Sequence, residues 1–400
     1  MPAIAQRAKA MPPSPIRKLA PVAEEARRRG VRVYQLNIGQ PDVPTPPALL
    51  DAYRRHQIEI LAYGHSGGLW DYRESLARYY RRHGIDVDKE QVLVTTGGSE
   101  AILFALLVTC DPGDDVLIPE PFYTNYNGFA VQAGVGVVPV PCDAEHGYAL
   151  PPAAEIRARL TPRTRAILIC NPSNPTGYVY TWAELSTLRE IALERDLFLI
   201  TDEVYREFVF DGAEHHSVLH LSGVAERAIL VDSISKRFSA CGARIGCLVA
   251  KNQEVLDSVL RFAMARLCPP TLEQMAAMAA LSLGQDYFAA LRDEYRRRRD
   301  AAFEVLERLP GVVAHRPRGA FYAMVRLPVD DADRFCSWLL SDFSDEGETV
   351  MLAPGNGFYA SPGLGGAEVR IAFVLNVDAT RRAMEILARG LEAYPGRLPT

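Results

Sequence analysis

The stretch that decides the fold of this chain is SISKRFSACGARIG, residues 233–246, which follows the apolar run AILVD. Its lysine, Lys236, has Ser233 three residues before it and Arg244 eight residues after it. A hydroxyl and a guanidinium can bind a phosphate together, which leaves the lysine between them free as a nucleophilic amine. A lysine taken at random is far more often a surface charge, so the rest of the chain decides between the two descriptions.

Length and composition describe a protein with a sizeable core. The 400 residues exceed what one core usually holds, so we expect two domains, or one large domain with a smaller partner. Hydrophobic residues make up 48% of the chain and charged residues 23%, which is ordinary for a globular protein. The net charge of −5, with acidic and basic residues mixed along the chain, predicts no nucleic-acid partner.

The cysteines and the apolar runs indicate a cellular location. The seven cysteines are odd in number and form no CxxC pair, so we expect reduced thiols, without disulfides or zinc. Cys241 and Cys247 flank the lysine and are predicted to be buried structural thiols. The first residues show no apolar core of signal-peptide length, and no run approaches the ~20 apolar residues of a membrane span. A cytoplasmic protein without a membrane partner is therefore expected.

Short apolar runs alternate with amphipathic segments through the middle of the chain, which predicts an α/β fold with a buried, largely parallel sheet. The predicted strands are VLVTTGG, DVLIPEP, RAILICNP, LFLITDEVY, AILVDSISK and GCLVAKN. The predicted helices between them are SEAILFALLVTC, TWAELSTLREIALERD and NQEVLDSVLRFAMARL. After about residue 285 the pattern changes to a long charged helix, over 286–309, followed by mixed strands and helices.

This change of pattern predicts the domain organisation. Residues 1–45 begin with a proline-rich stretch that cannot continue a helix, and they are expected to form an N-terminal arm that contributes to the small domain. Residues 46–285 are predicted to form the large domain. Residues 286–400 are predicted to form the C-terminal small domain, of α+β type.

Polar turns follow several predicted strands, at the edge of the sheet where ligands bind in open α/β folds. NPSNPTG, residues 171–177, has more constraints than a plain turn needs, and we expect a ligand contact by Asn174. In TDEVY, residues 201–205, Asp202 ends an apolar strand, where a carboxylate is costly without a cationic partner such as a ring nitrogen. TTGGSEA, residues 95–101, can aim backbone N–H groups at a phosphate, although glycine turns before helices are common.

These motifs occur in one order along nearly the whole chain, together with AYGHSGG (62–68), PFYTNY (121–126) and VRIAF (369–373). In that order they resemble the fold type I pyridoxal-phosphate enzymes, specifically the class I/II aminotransferases of the aspartate aminotransferase kind. The resemblance implies a large domain with a mostly parallel sheet between helices and a smaller α+β domain. It also implies pyridoxal 5'-phosphate as the cofactor.

The resemblance assigns roles to residues around the cofactor ring. Lys236 would form the internal aldimine with the cofactor aldehyde and later shuttle the proton between the substrate Cα and the cofactor. Asp202 would pair with the ring nitrogen, so that the ring withdraws electrons from the carbanion. Tyr205 and Asn174 would hydrogen-bond the phenolic oxygen. Tyr123 would stack on the ring, where many relatives have tryptophan.

The resemblance also implies the phosphate and substrate sites. The implied phosphate-binding residues are Gly98, Ser99, Ser233 and Arg244, with Tyr63 reaching in from a neighbouring subunit. A homodimer with shared active sites is therefore expected. Arg370 would take the α-carboxylate of the substrate as a bidentate pair, assisted by Asn174 and the backbone of Gly39.

The implied reaction is a ping-pong transfer of an amino group from an α-amino acid to a 2-oxo acid such as 2-oxoglutarate. Aspartate is the first donor to consider, because VMLAPGNGFYASPGLGGAEVRIAF near the C-terminus resembles bacterial aspartate aminotransferases. A PLP-dependent lyase or an amino-acid-tailoring enzyme on the same scaffold is the alternative. A non-catalytic ligand-sensing module is less favoured, because only about forty proline-interrupted residues precede the large domain.

The sequence leaves several candidates for the residue that recognises the substrate side chain. Ser99 stands where one bacterial branch of aspartate aminotransferases has a lysine for the distal carboxylate. His65, Ser14, Arg237 or an arginine of a partner subunit are the candidates to replace it. No metal is expected, because the histidines of the polar loop lack carboxylate support and are predicted to lie on the surface. These histidines are His215, His216 and His220.

Overall fold

The computed structural model describes residues 2–56 and 58–399. The helices are α1 (Gln6–Ala10), α2 (Ala20–Arg28), α3 (Pro47–Arg55), α4 (Trp70–Arg82), α5 (Gly97–Thr109), α6 (Asn125–Ala133), α7 (Ala153–Arg159), α8 (Trp182–Glu194), α9 (Ile234–Arg237), α10 (Gln253–Arg266), α11 (Thr271–Leu281), α12 (Gln285–Leu306), α13 (Ala332–Ser341) and α14 (Val377–Ala393). The strands are β1 (Arg32–Gln35), β2 (Val92–Thr95), β3 (Asp115–Glu120), β4 (Gly136–Pro141), β5 (Thr164–Cys170), β6 (Phe198–Asp202), β7 (Ala228–Ser233), β8 (Gly246–Ala250), β9 (Val313–Ala314), β10 (Tyr322–Arg326), β11 (Glu348–Met351), β12 (Ala353–Pro354) and β13 (Glu368–Ala372).

A seven-stranded sheet forms the centre of the molecule, in the order β2-β8-β7-β6-β5-β3-β4. Strand β8 is antiparallel to both of its neighbours, and the other pairs are parallel. The register pairs Cys170 of β5 with Asp202 of β6, and Asp202 with Val231 of β7. The carboxyl ends of these three strands therefore meet at one edge. This arrangement confirms the predicted α/β fold with a mostly parallel sheet.

Helices cover both faces of this sheet. Leu230 of β7 lies in the apolar cluster that contains Leu76 of α4, and Val231 lies in the cluster that contains Ala105 of α5. Successive side chains of a strand point to opposite faces, so the next two residues, Asp232 and Ser233, continue the alternation. Asp232 therefore faces α4, and Ser233 faces the beginning of α5.

The C-terminal part of the chain forms a separate antiparallel sheet in the order β12-β13-β10-β9. Helix α12 ends three residues earlier than the sequence predicts, at Leu306. A third apolar cluster joins α2, α13 and α14 to this sheet. Strand β1 of the N-terminal arm pairs in parallel with β11, so the arm does contact the C-terminal part. The domain boundaries at residues 45 and 285 stay predictions.

The proline-rich start of the arm lies along the C-terminal part of the chain. The side chain of Asn37 donates a hydrogen bond to the carbonyl of Ile16 at 2.9 Å. A Cβ built on Gly357 would stand 2.2 Å from Cβ of Pro15, so this glycine allows the arm to approach closely. Within residues 2–56 and 58–399, no helix is both long and apolar enough to cross a bilayer.

Candidate active site

A cavity opens at the carboxyl ends of β5, β6 and β7. The predicted site residues that line it are Gly39, Gly98, Ser99, Tyr123, Asn174, Asp202, Tyr205, Ser233, Lys236, Arg244 and Arg370. They come from segments that are far apart in sequence, and the parallel register of the strands brings them together. Ligands of open α/β sheets bind at this edge.

Lys236 lies in the short helix α9, directly after β7, with its amine in the cavity. Nζ of Lys236 donates a hydrogen bond to the carbonyl of Gly39 at 2.7 Å. Burial lowers the pKa of Lys236, and the charges of Arg370 and Arg244 act in the same direction. A buried amine with a lowered pKa is more readily available as a neutral nucleophile or base.

Gly39 packs closely against the ring of Tyr322. A Cβ built there would lie 1.7 Å from the hydroxyl oxygen of Tyr322. That hydroxyl stands 2.9 Å from the hydroxyl of Tyr205, so the two phenols form a pair above the glycine. A side chain at residue 39 would therefore require Tyr322 to move.

Asp202 ends β6 with its carboxylate in the cavity. The hydroxyl of Tyr126 donates to Oδ2 of Asp202 at 2.9 Å, and the N–H of Val204 donates to Oδ1 at 3.3 Å. Burial raises the pKa of Asp202 to about 6. Among the residues that the structure describes, no cation forms an ion pair with this carboxylate. Asp202 therefore suits a cationic ring nitrogen, because an ion pair would offset the free-energy cost of burying the carboxylate.

The other end of the cavity has the features of a phosphate site. Helix α5 begins there, with Gly98 and Ser99 in its first turn. Gly97 has a φ of 77°, and a Cβ on it would stand 2.2 Å from Nη2 of Arg244, so the guanidinium packs against this glycine. A helix N-terminus beside an arginine attracts a phosphate dianion.

Two hydroxyls complete this end of the cavity. Oγ of Ser233 lies 2.7 Å from Oγ of Ser235, and it donates to the carbonyl of Ile245 at 2.8 Å. A Cβ on Gly98 would stand 3.7 Å from Cβ of Ser233, which places the end of β7 against the start of α5. The residues present therefore fit the phosphate of the cofactor.

Arg370 lies in β13 and is almost completely buried. Nη1 of Arg370 donates to Oδ1 of Asn174 at 2.9 Å, and the guanidinium lies over the ring of Tyr322 at 4.6 Å. Nε of Arg370 has no hydrogen-bond partner in the described residues. A buried guanidinium with an unused donor suits a carboxylate, which it can bind through two hydrogen bonds.

Some predicted residues lie elsewhere. Tyr63 has 81% of its surface exposed and lies outside the lining of the cavity. His65 is also exposed and stacks on Trp70, so it is not a residue of this cavity. The hypothesis that Arg237 binds a substrate carboxylate is wrong, because its buried side chain forms an ion pair with Asp232 on the opposite face of the sheet.

Two further expectations need correction. The side chain of His215 is only 11% exposed, and its Nε2 lies 3.4 Å from Oε2 of Glu203, so His215 is not a surface histidine. Cys247 is buried as predicted, but Cys241 is half-buried and lines the cavity. Sγ of Cys241 stands 3.9 Å from Nζ of Lys236. The same thiol donates a hydrogen bond to the carbonyl of Ser235 at 3.3 Å.

Sequence reasoning missed several residues of the site. Tyr126, Ser235, Tyr322 and Arg17 line the cavity but were not predicted, whereas Ser14, a predicted candidate for the substrate side chain, lines it as well. The alternation of serines in SISK was a signal for Ser235, since residues 233 and 235 can share a face. No local signal pointed to Tyr322 or Arg17, because only the folded chain brings them to residue 236.

A buried lysine, a carboxylate without an ion-pair partner in the described residues, a helix N-terminus beside an arginine and a second, buried arginine lie together on a mostly parallel sheet, and this combination fits a PLP-dependent enzyme acting on amino acids. The chain belongs to the aminotransferase class I and II family, whose model matches residues 31–387. It is a PLP-dependent aminotransferase, and enzymes of this class act on amino acids and 2-oxo acids.

The chain is similar to several characterised relatives over almost its full length. It is 32% identical to aromatic-amino-acid aminotransferase 2 of Thermococcus litoralis, with 98% of each chain covered. It is 32% identical to the aspartate/prephenate aminotransferase of Thermus thermophilus, covering 97% of this chain and 98% of the relative. It is 31% identical to the aspartate aminotransferase of Bacillus subtilis, covering 98% and 99%.

Solved structures show the same fold. The aspartate aminotransferase of Thermus thermophilus with maleate superimposes with a TM-score of 0.87 at 32% identity, over 98% of this chain and all of the other. The alanine aminotransferase of Pyrococcus furiosus gives a TM-score of 0.89 at 29% identity, over the same shares. These relatives differ in their amino donors, so the fold sets the reaction and leaves the donor to residues of the individual chain.

Proposed function

We propose that the chain moves the amino group of aspartate to a 2-oxo acid such as 2-oxoglutarate, in two half-reactions at the cavity around Lys236. The observation that carries this proposal is the joint placement of Lys236, Asp202 and Arg370 in one cavity. Aspartate is the first donor because several relatives are named aspartate aminotransferases. When bound, pyridoxal 5'-phosphate supplies an aldehyde that accepts the amino group and a ring that withdraws electrons from Cα.

Lys236 is proposed as the residue that holds the cofactor and moves the proton. Its lowered pKa favours a neutral amine, which can take a proton from Cα of the amino acid. The hydrogen bond to the carbonyl of Gly39 holds Nζ in position before a ligand binds. The burial of the amine keeps water away from the carbon that loses its proton.

Other residues are proposed to hold the cofactor in place. Asp202 would bind the ring nitrogen, and Tyr205 and Asn174 would bind the phenolic oxygen. Tyr123 would cover the ring face. The groups proposed for the phosphate are Gly98, Ser99, Ser233 and Arg244, all of which line the same cavity.

Arg370 is proposed to bind the α-carboxylate of the amino acid. Nη1 of Arg370 is held by Asn174, and Nε is a buried donor that a carboxylate oxygen can accept from. Gly39 leaves room for the substrate beside the carbonyl that Lys236 contacts. A carboxylate fixed at Arg370 would present Cα of the substrate to Lys236.

We also propose a homodimer in which Tyr63 of one subunit reaches the phosphate of the other. Tyr63 stands among exposed apolar residues, and the hydrogen bond from Arg266 to the carbonyl of Ser66, at 3.3 Å, joins this segment to the end of α10. The exposed apolar residues of the two segments are Ile58, Ile60, Leu61, Phe262, Met264 and Leu267. Such a patch marks an interaction surface.

Size and cofactor affinity together test the dimer. Light scattering should give twice the mass of one chain, and Tyr63→Phe should weaken the binding of the cofactor without splitting the dimer. A monomer that binds the cofactor fully would contradict the proposal.

We further propose that the chain consists of an arm (1–45), a large domain (46–285) and a small domain (286–400). A cytoplasmic location is also proposed, since it suits the seven free thiols.

The reaction is tested by adding aspartate alone to the cofactor-loaded protein. We expect the visible absorbance of the bound cofactor to fall while one equivalent of oxaloacetate appears, and 2-oxoglutarate to restore the absorbance with formation of glutamate. Release of ammonia with an absorbance that returns unaided would instead indicate a lyase. A protein that retains full absorbance with aspartate, but loses it with another amino acid, would refute the choice of aspartate and keep the class of reaction.

A further inference from the structure

Arg17 is a cation of the active-site cavity without a partner. It belongs to the N-terminal arm, directly before Lys18, and its side chain lines the same cavity as Lys236 and Arg370. Its guanidinium makes no hydrogen bond or ion pair with any residue of the described chain. An exposed arginine is ordinarily a solvated surface charge. The surroundings of Arg17 give reasons to assign it a ligand.

The arm is anchored on both sides of Arg17. Before it, the carbonyl of Ile16 accepts the hydrogen bond from Asn37, and Pro15 packs against Gly357. After it, Lys18 forms an ion pair with Asp333, and Leu19 is buried in the apolar cluster of the C-terminal part. The two neighbouring cations therefore lie in different surroundings. Lys18 forms its ion pair outside the cavity, whereas Arg17 lines the cavity.

The proposed reaction assigns a binding partner to the other charged residues of the cavity, but not to Arg17. Four cations line it, namely Arg17, Lys236, Arg244 and Arg370, against one carboxylate, Asp202. The cofactor phosphate and ring nitrogen account for Arg244 and Asp202, and the α-carboxylate accounts for Arg370. Ser99, at the start of α5, is neutral. Lys236 is assigned to the cofactor aldehyde, so Arg17 is the one cation among these four for which the proposed reaction names no partner, and it suits a second anionic group of the substrate.

The position of Arg17 suits the side chain of an amino acid. Burial raises the pKa of the Tyr123 phenol, and the charges of Arg370, Arg244 and Arg17 act against this increase. Arg17 therefore acts on the same phenol as Arg370 and Arg244, the two arginines to which the proposed reaction gives other partners. Since Tyr123 lines the cavity with Arg17 and Arg370, a short ligand with a carboxylate at each end can lie between these two arginines.

We propose that Arg17 binds the distal carboxylate of the substrate, so that the chain selects four- and five-carbon dicarboxylic amino acids and their 2-oxo acids. The inference rests on the proposed function, in which Arg370 binds the α-carboxylate. It identifies the cation that takes over side-chain recognition in a chain that has Ser99 at the start of α5. The arm, and not the large sheet, then carries the choice of substrate.

The test compares Arg17→Gln, Arg17→Lys and the control Lys18→Gln, each loaded with the cofactor. Binding of succinate and of butyrate, which has the same number of carbons and one carboxylate fewer, is measured by calorimetry without turnover. We expect Arg17→Gln to weaken succinate binding about 10- to 100-fold, the effect of one charge-assisted hydrogen bond, and to leave butyrate binding little changed. Arg17→Lys should recover part of the loss, and Lys18→Gln should bind both ligands as the wild type does.

The kinetic counterpart is the ratio of kcat/KM for aspartate to kcat/KM for alanine. This ratio should fall about 10- to 100-fold in Arg17→Gln and stay constant in Lys18→Gln. Equal losses for aspartate and alanine would show a structural role of the arm and overturn the proposal. A wild type that binds succinate no better than butyrate would also overturn it, and this result is independent of whether any amino acid is transaminated. Conversion of alanine but not aspartate by the wild type would overturn the Arg17 assignment and leave transamination standing.

Discussion

Charged residues lie on both sides of the seven-stranded sheet, and the two sides differ in whether the protein supplies the partner of each charge. Lys236 and Asp202 line the cavity, whereas their immediate successors, Arg237 and Glu203, lie on the other side of the seven-stranded sheet. There they belong to a group of charged residues beneath α4 that we call the buried cluster. The buried cluster consists of Glu203, Arg206, Glu207, Asp232 and Arg237, all with side chains no more than 3% exposed.

In the buried cluster the protein itself supplies the partner of each charge. Arg237 pairs with Asp232, which also accepts a hydrogen bond from Tyr80 at 2.9 Å. Arg206 pairs with Glu203 at 2.7 Å. Breaking such a buried pair destabilises a fold strongly, because the remaining charge is left without compensation.

Titration distinguishes Asp202 of the cavity from Glu207 of the buried cluster, although burial also raises the pKa of Glu203 in that cluster, to about 7. Burial raises the pKa of Asp202 in the cavity to about 6. Burial acts in the same direction on Glu207 of the buried cluster, but hydrogen bonding and charge from His83, together with Arg237, bring its pKa down to about 2. The buried cluster thus stabilises the fold through its ion pairs, while the charged groups of the cavity have no ion-pair partner among the described residues.

The largest effect is expected from Lys236→Ala. Removal of the amine should slow the half-reaction with aspartate at least about 1,000-fold, because both the cofactor attachment and the proton-transfer group are lost. The melting temperature of the cofactor-free protein should stay within a few degrees of the wild type, since Nζ contacts only one carbonyl closely. Stopped-flow absorbance and a thermal melt measure the two. A rate within tenfold of the wild type would contradict the placement of Lys236.

The neighbouring variant, Arg237→Met, should change stability instead. It leaves Asp232 buried without its cation, which is expected to lower the free energy of unfolding by about 3–5 kcal/mol. Urea unfolding at one fixed protein concentration measures this loss. The control is the double variant Asp232→Asn with Arg237→Met, which should regain much of the stability. If the single variant is as stable as the wild type, the comparison between the two regions fails.

A smaller effect, of opposite sign in the two regions, is expected from neutralising a carboxylate. Asp202 has a folded pKa of about 6, above the ordinary 3.8, so its contribution to stability falls as the pH rises between these values. Asp202→Asn should therefore stabilise the cofactor-free protein at pH 8 by up to about 3 kcal/mol and by little near pH 4. Urea unfolding at both pH values measures the difference.

Glu207→Gln is the matched control for this experiment. The folded pKa of Glu207, about 2, lies below the ordinary 4.5, so the carboxylate contributes stability above pH 4.5 that is lost as the pH falls toward 2. Its removal should destabilise the protein at pH 8. Destabilisation of the cofactor-free protein at pH 8 by Asp202→Asn as well would show that Asp202 is satisfied inside the protein.

The smallest effect is expected from Tyr126→Phe, which removes one hydrogen bond to Asp202. The phenol favours the ionised carboxylate, so its loss should move the acidic limb of the kcat/KM profile upward by about one pH unit or less. Tyr79→Phe, which removes a 2.6 Å hydrogen bond to Glu207, should leave this limb in place. A Tyr126→Phe profile that coincides with the wild type would show that the phenol does not influence the pKa of Asp202.

Much of the site was predictable because its residues follow apolar strands. Asp202, Ser233 and Lys236 stand directly after runs that had to be central strands, and parallel strands gather their carboxyl ends at one edge. The mostly parallel sheet, and the position of Asn174 next to it, followed from the same pattern. The antiparallel direction of β8 and the edge strand β4 required the structure, since nothing in GCLVAKN sets the direction of β8 and residues 136–141 were not predicted as a strand.

The rest depended on contacts between distant parts of the chain. Arg237 is as polar as Lys236, and only the partner that it meets, Asp232, decides that it belongs to the buried cluster. His215 was expected on the surface because its loop is polar, whereas its side chain is buried, with Nε2 at 3.4 Å from Oε2 of Glu203. Arg17 is more than 200 residues from Lys236, and the arm that carries it to the cavity contacts the C-terminal part through Pro15 and Gly357 and through Lys18 and Asp333.

The account is tested most directly by locating the cofactor on the chain. The sequence contains five lysines, Lys9, Lys18, Lys89, Lys236 and Lys251, and Lys236 is the one that lines the cavity. The cofactor-loaded protein is reduced with borohydride, digested and mapped by mass spectrometry. The account predicts the added mass of the reduced cofactor on the peptide that contains Lys236, and on no other. A label on Lys18 or Lys251, or a protein that carries no cofactor, would contradict it.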